Sequence, residues 1–491
     1  MQITVLAAVI INLVLLGFDG LEGLMPPGWQ TAPALAAYLL GAVGIAAANT
    51  ALGLRAIGRA GAAEPKALRR HNLIALATSL WLILGLATTI YLGFGRWVMK
   101  DLHLAGVPLA GQLMSLVPFV AALLAAWVID YPFYRLMRER ALAARPDAAR
   151  ARRPWTPRQY ISYNCRHHLL FVLVPVSLIV LAQDSLHLYA WPHLSGVAGG
   201  DYVMLAALAA SALAVVFFAP VLIVRIWKTE PLRDKPLRQG LEEIRRLLKL
   251  RYRDILVWKS EGMIANAGVM GLAGNVRYVL LSDGLLENAD HRQVEAVFAH
   301  EAGHIASHHI FYSAMFAIAS AALCNLAAIA ISKQMHLTDL HETALTLALL
   351  APAWGLGFGW ISRRFERQSD VIGAWAIGST AGADPPQGPQ DRKPPADEGC
   401  ITPEGAAIFA TALENIARLN GIPARQRSWR HGSIAGRISY ILWLGSRRGS
   451  RRSIDRVVRR VKLAIWLLLA CAVALMVTLS PAAGAAKAIL P

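Results

Sequence analysis

Charged side chains are scarce in this chain. They make up 16% of its 491 residues, whereas apolar residues make up 56%, and the mean hydropathy is +0.44. About a quarter of the residues in an ordinary soluble domain are charged. The composition therefore excludes a typical water-soluble protein and predicts an integral membrane protein.

Cysteine is also scarce and widely spaced. The four cysteines are Cys165, Cys324, Cys400 and Cys471. They are far apart, and Cys324 and Cys471 fall inside apolar runs. Neither a zinc knuckle nor a disulfide framework is indicated, so we expect four unpaired thiols.

Acidic residues are fewer than basic ones, 31 against 49, and the formal net charge is +18. No recognised nucleic-acid motif accompanies this excess. Much of the Arg and Lys borders apolar runs, where it sets membrane topology. We therefore expect no nucleic-acid partner.

Nine apolar runs approach or exceed the roughly 20 residues that cross a bilayer as a helix. They lie near 3–18, 34–54, 73–95, 107–129, 169–190, 202–224, 311–332, 343–362 and 463–481. The first lacks a basic start and a small-residue cleavage site, so we predict an uncleaved, short span. The fold class predicted is a multi-spanning α-helical membrane protein with about nine spans.

Two segments of ordinary globular composition, 225–310 and 363–462, separate the later runs. They are predicted to form one catalytic domain. The predicted organisation is a membrane domain at 1–224, a catalytic domain at 225–462 interrupted by the spans 311–332 and 343–362 and a Pro/Gly-rich loop at 378–400, and a C-terminal span and tail at 463–491.

The Arg-rich connections 55–72 and 130–168 belong on the cytoplasmic side by the positive-inside tendency. Counting spans from them predicts a cytoplasmic catalytic domain, with the N-terminus inside and the C-terminus outside.

Residue patterns in the globular part predict a small sheet. The segments 254–258, 263–271 and 276–283 have the character of strands. The amphipathic segment 237–250 predicts a helix that packs on the domain, with the membrane surface as the alternative.

The stretch AVFAHEAGHIASHHI, residues 296–310, contains a His-Glu-x-x-His motif. On a helix, His300 and His304 leave the same face and can occupy two vertices of a zinc tetrahedron. Glu301 then lies beside the metal, where it can deprotonate water. The alternative is a polar patch on an ordinary helix.

A third ligand is needed, and Glu366 in the segment 361–376 is the best candidate. Asp370, four residues later, would accept a hydrogen bond from a ligand histidine. Spacing alone leaves open that Glu366 merely pairs with neighbouring arginines. For His308 and His309 we expect a structural or interfacial role, because a site with water has no vertex left.

Four blocks in order resemble the HtpX heat-shock proteases and type I CAAX prenyl proteases, integral membrane zinc metallopeptidases of the gluzincin type. The similarity covers about 237–440. The blocks are NAGVMGLAGNVRYVLLSDGLL (266–286), VFAHEAGHIASHH (297–309), SRRFERQSDVIGA (362–374) and RHGSIAGRISYI (430–441).

The resemblance implies a zincin-like α+β protease domain that holds one Zn2+ per chain. It implies roles for nine residues: the metal ligands His300, His304 and Glu366; the catalytic Glu301; the supporting Asp370; Asn266 and Ala267 on a strand that pairs with substrate; and His431 and Arg437 near the oxyanion or the carboxylates. Two positions depart from the family, which usually has Pro at Gly432 and an acidic residue at Gln293.

The expected function is a zinc metalloendopeptidase that cleaves membrane-associated or misfolded proteins at the cytoplasmic face, with a bacterial inner membrane as the expected location. The expected partners are a protein or peptide substrate and the bilayer. Alternatives are a CAAX-like processing protease, a site-two-type intramembrane protease, a transporter with a structural zinc site and a silent scaffold. The transporter alternative draws on Asp184 near the end of the fifth span.

Overall fold

The computed structural model describes residues 1–17, 31–60, 65–143, 154–260, 262, 264–380, 399–447 and 452–479. The chain divides into two compact units, Met1–Lys228 and Thr229–Pro491.

The first unit consists of helices. Their bounds are α1 Gln2–Leu16, α2 Thr31–Ala60, α3 Pro65–Thr89, α4 Ala110–Ala143, α5 Pro157–Asn164, α6 Leu170–Ser185, α7 Trp191–Leu194 and α8 Gly200–Ile226.

The second unit combines four short strands with helices. Its elements are β1 Thr229–Pro231, α9 Lys235–Leu247, β2 Asp254–Trp258, β3 Ala267–Met270, β4 Tyr278–Ser282, α10 Asp283–Asn288, α11 His291–Ala306, α12 His309–Met335, α13 Asp339–Pro352, α14 Gly359–Thr380, α15 Pro403–Leu419, α16 Ile434–Ser446 and α17 Arg452–Leu479.

Eight helical segments within the described residues are long and apolar enough to cross a membrane. They are Thr31–Arg55, Leu73–Phe94, Ala110–Arg140, Pro157–Leu194, Gly200–Ile226, His309–Met335, His341–Thr380 and Ser453–Thr478. Large apolar side chains on them face outward; Leu205 and Leu213 are 65% and 67% exposed. Such surfaces match hydrocarbon rather than water. The predicted class, a multi-spanning helical membrane protein with a small mixed sheet, is confirmed.

The first of the nine predicted spans, 3–18, is not among these eight segments and corresponds to α1, which has 15 residues. Such a helix is about 22 Å long, shorter than the hydrocarbon core. It is tied to α4 by polar groups. Asn12 Nδ2 donates to the Gln112 carbonyl at 3.1 Å, and Asn12 Oδ1 accepts from Ser115 Oγ at 2.7 Å.

Asp184 belongs to α6, and its side chain contacts the N-terminus of α4. Its Oδ2 accepts from the Leu109 backbone N–H at 2.8 Å and from Gln112 Nε2 at 3.0 Å. The carboxylate that supported the transporter alternative thus satisfies donors at a helix N-terminus.

The sheet has the order β1-β2-β4-β3. β2 and β4 run parallel, with Leu256 opposite Leu280, and β3 is antiparallel to β4. The three predicted strands correspond to β2, β3 and β4. β1 was not predicted because three residues ending in proline, at Pro231, give no strand pattern. In this sheet β3 is an edge strand.

Helix α9 packs on the domain, as the first of the two sequence interpretations stated. Its apolar residues Leu237, Leu241 and Ile244 are buried in the core of the second unit. A helix lying on a membrane surface would expose this face to lipid.

The predicted loop at 378–400 falls mostly outside the described residues. Its first three residues, 378–380, form the end of α14. Residues 381–398 are not among the described residues.

Helices α11 and α14 approach closely because each has a glycine at their contact. A Cβ on Gly303 of α11 would lie 3.0 Å from the Ser369 Cα on α14. A Cβ on Gly373 of α14 would lie 3.1 Å from the His300 backbone nitrogen and 2.6 Å from the Phe409 ring. Without these glycines, the two backbones would have to move apart.

We expect Gly303→Ala to destabilise the protein by about 1–3 kcal/mol, since the added methyl meets backbone that cannot rotate away. The matched control is Gly44→Ala on α2, where a Cβ meets nothing within 4 Å. There the better helix propensity of alanine leaves stability unchanged or higher. Thermal unfolding of the detergent-solubilised variants measures both; equal midpoints would contradict the packing argument.

Candidate active site

Helix α11 carries the His-Glu-x-x-His motif and is buried in the second unit. Asp290 caps it by accepting from the Gln293 backbone N–H at 2.8 Å. Val294, Phe298 and Ile305 bury its apolar face. The helix is not among the span candidates, and the next span begins only at His309. This differs from the site-two type, in which the motif lies within a spanning helix.

Three side chains bring their ligand atoms together between α11 and α14. The distances are 3.3 Å from His300 Nε2 to His304 Nε2, 3.6 Å from His300 Nε2 to Glu366 Oε2, and 3.5 Å from His304 Nε2 to Glu366 Oε1. Tetrahedral ligands about 2.0–2.1 Å from zinc are about 3.3–3.4 Å apart. The donor set and its spacing therefore fit a zinc ion.

His300 and Glu366 are backed by a carboxylate and a guanidinium. His300 Nδ1 lies 3.0 Å from Asp370 Oδ1. Arg437 donates to both oxygens of Asp370, at 2.8 Å from Nε and 2.6 Å from Nη2. Its Nη1 lies 3.6 Å from Glu366 Oε2. A bidentate pair of this kind fixes the carboxylate in one orientation, so Asp370 is held toward His300.

Arg437 reaches this position because of the start of α16. Ser433 caps the helix by accepting from the Gly436 backbone N–H at 3.2 Å. Arg437 then lies on the first turns and is directed toward Asp370. Burial disfavours its charge, but Asp370 and Glu366 more than offset this, so the pKa of Arg437 lies above its usual range.

His431 contacts the same carboxylate from the preceding loop. Its Nδ1 lies 2.9 Å from Glu366 Oε1, and its side chain is 46% exposed. Gly432 follows with φ +75°, a conformation closed to proline. Gly432, where the family usually has proline, therefore forms a turn that proline could not adopt. His431 still faces the site.

Burial determines the charge of two further groups. It lowers the pKa of His304 to about 3, with a contribution from nearby His300, which keeps the imidazole neutral as a metal ligand requires. It raises the pKa of the Glu301 carboxyl to about 7, against the opposing influence of His300.

A row of hydrogen bonds fixes the tautomer of His304. Gln368 Nε2 donates to Asp455 Oδ1 at 2.6 Å, so Gln368 Oε1 faces His309 and accepts from its Nε2 at 2.8 Å. With that proton on Nε2, His309 Nδ1 accepts from His304 Nδ1 at 2.9 Å. His304 Nε2 is then left with its lone pair toward His300 and Glu366.

His308 and His309 have different environments. His308 is exposed with φ +56°, whereas His309 is 2% exposed and stacks on Phe365 with ring centroids 4.2 Å apart. Sequence reasoning missed that His309 contacts His304. Helical spacing predicts that His308, four residues after His304, lies on the same face as His304. The helix α11 ends at Ala306, however, and this break brings His309 instead of His308 next to His304. The onset of the apolar run at Ile310 was the available signal of that break.

The cluster opens into a cavity of about 310 Å3 that has both polar and apolar walls. Glu301, His431 and Arg437 line it, together with Asn266 and Val269 from the β3 side. Further apolar lining comes from Val297, Phe409, Leu413, Ile416 and Ile434. The cavity can therefore hold an apolar side chain next to the candidate metal position.

The edge of β3 borders this cavity. Asn266 faces β4: its carbonyl accepts from the Ser282 N–H at 2.9 Å, and its N–H donates to Ser282 Oγ. Alternation along the strand then turns the backbone of Ala267 and Val269 toward the free edge. The Ala267 N–H is occupied by Asn266 Oδ1 at 3.0 Å. The free edge thus lies beside the candidate metal position.

Part of this sequence matches a known peptidase family. Residues 231–386 match the sequence model of peptidase family M48. The crystal structure of S. mikatae Ste24p aligns with 85% of this chain and 99% of its own chain, at 13% identity and a TM-score of 0.47. A comparison with curated protein sequences found no match.

The chain is a multi-spanning membrane protein, and its residues 231–386 are similar to the M48 peptidases. The matched segment contains the His-Glu-x-x-His helix and Glu366.

We expect His309→Phe to weaken Zn2+ binding about 10–100-fold, as loss of a group that orients a ligand histidine does. Phenylalanine keeps the stacking on Phe365 and removes both ring nitrogens. The control is His308→Asn, because asparagine tolerates positive φ and the side chain is exposed. Competition with a chelating dye measures both affinities; similar values for the two variants would show that His309 does not orient His304.

Proposed function

We propose that the chain is a zinc metalloendopeptidase that hydrolyses peptide bonds of membrane-associated or misfolded proteins at the cytoplasmic face. His300, His304 and Glu366 hold one Zn2+. The observation that carries the proposal is the 3.3–3.6 Å spacing of their ligand atoms in a cavity that Glu301 also lines.

The chemistry divides between the metal and this chain's side chains. A bound Zn2+ supplies Lewis-acid polarisation of the scissile carbonyl and acidifies water. Glu301 takes a proton from the attacking water and gives it to the leaving amine. Arg437 supports the oxyanion through its charge, and His431 donates a hydrogen bond from the cavity wall.

Substrate backbone adds to the free edge of β3 as an extra strand. Val269 offers its N–H and carbonyl, and Ala267 its carbonyl, beside the candidate metal position. Main-chain hydrogen bonds of this kind bind many sequences, while the apolar wall selects a side chain. This mode suits unfolded segments, because a folded substrate has no free strand to offer.

The location of the site relative to the membrane supports membrane-associated substrates. The span α12 begins five residues after His304, and α14 is a continuation of an apolar helical segment that begins at His341. The basic residues at the start of α17, before its apolar run begins at Leu463, include Arg456, Arg459 and Arg460, and they support a cytoplasmic orientation.

We expect Glu301→Gln to retain zinc and to lose at least about 10²-fold in turnover, as removal of a general base does. The control, Glu414→Gln, changes an exposed carboxyl on α15 and keeps activity. Metal analysis and a peptide-cleavage assay on the same preparations measure the two effects. Cleavage at the normal rate by Glu301→Gln would remove Glu301 from its assigned role.

A second experiment identifies the substrate class. Purified, zinc-loaded protein is incubated with a denatured membrane protein and, separately, with a prenylated peptide, each beside Glu301→Gln. The proposal expects cleavage of the denatured protein. Cleavage of the prenylated peptide alone would point instead to CAAX-like processing, and cleavage of neither would contradict the proposed protease activity.

A further inference from the structure

A second cavity, of about 520 Å3, lies in the same unit and is lined by basic side chains. Three cations line it: Lys249 after α9, and Arg459 and Lys462 on α17. One carboxylate, Asp455, also lines it. The sum of formal charges is therefore positive, which favours an anion.

The cavity lies where two spans join the domain. Its lining includes Ala306 and Ser307, just before α12 begins at His309. On α17, the cations come before the apolar run that starts at Leu463. Lys462 connects α17 to the turn between α11 and α12 by donating to the Ser307 carbonyl at 2.6 Å. Basic residues next to spans lie at the depth of lipid head groups.

Two of the cations are available to a ligand. Lys249 and Arg459 are exposed, and neither pairs with a carboxylate among the residues that the structure describes. Asp455 accepts from Gln368 Nε2 at 2.6 Å and keeps its negative charge. The described wall of the cavity therefore carries three cations against one carboxylate, and its net charge stays positive.

We propose that this cavity binds the phosphate head group of an anionic phospholipid. Arg459 and Lys249 pair with the phosphate, and Lys462 adds its charge. The lining also includes Leu248, Ile372 and Val458, which suit the glycerol and the first acyl carbons. A soluble phosphate shares the anion chemistry but gains nothing from this apolar wall.

The basic cavity is separate from the proteolytic cavity. Two of its lining residues, however, take part in the row of hydrogen bonds that ends at His304. Gln368 and Asp455 line the basic cavity and also orient His309. The lipid head group would therefore contact residues that support the candidate metal ligands.

The test uses the full chain in neutral phosphatidylcholine nanodiscs titrated with phosphatidylglycerol. Binding is followed by native mass spectrometry and by displacement of a fluorescent anionic lipid. Arg459→Gln removes a lining cation, and Arg456→Gln removes an exposed cation from the same helix outside the cavity. Thermal unfolding midpoints confirm that both variants are folded. A parallel titration uses inorganic phosphate.

We expect saturable binding of phosphatidylglycerol that weakens about five-fold or more in Arg459→Gln and stays unchanged in Arg456→Gln. Combining Lys249→Gln with Arg459→Gln should weaken it further. Equal weakening in the two single variants would indicate diffuse surface attraction and overturn the site. Displacement of the lipid by inorganic phosphate at similar concentration would overturn the lipid assignment. These readouts do not depend on proteolysis.

Discussion

The close approach of α11 and α14 is the constraint on which the candidate active site depends. Two glycines allow it, Gly303 on α11 and Gly373 on α14, and both face positions where a Cβ would meet the neighbouring helix or the Phe409 ring. Because a zinc site requires ligand atoms about 3.3–3.4 Å apart, a shift of even 1 Å between these helices would separate Glu366 from the two histidines. The packing of small residues therefore determines the chemistry that the larger ones can perform.

Charge burial is the second requirement, and the structure meets it by pairing. Asp370 is 1% exposed and Glu366 is 5% exposed, and an isolated carboxylate in such a position is costly. Arg437 is directed toward both, and it binds Asp370 through two hydrogen bonds. The second candidate ligand, His304, is oriented by neutral groups instead. His309 contacts it directly, and Gln368 links His309 to the more distant Asp455. The two histidines are thus oriented by unlike partners.

The sequence predicted the parts of the site that follow regular spacing. His300 with His304, and Glu366 with Asp370, are pairs four residues apart on helices, so their shared faces follow from helix geometry. The contact of His309 with His304 could not be predicted in this way, because it depends on the break after Ala306. Gln368 and Asp455 are 87 residues apart, and only tertiary packing brings them together. For the strand β1, three residues were too few to form a pattern.

X-ray absorption at the zinc edge of the purified protein tests the central claim most directly. The account predicts one Zn2+ per chain with two imidazole nitrogens at about 2.0–2.1 Å and oxygen ligands at about 2.0–2.2 Å. In Glu366→Gln the metal should be lost or should lose the carboxylate oxygen, while the two imidazoles still scatter in any zinc that remains. A third imidazole, a sulfur at about 2.3 Å, or an unchanged spectrum in Glu366→Gln would contradict the proposed ligand set.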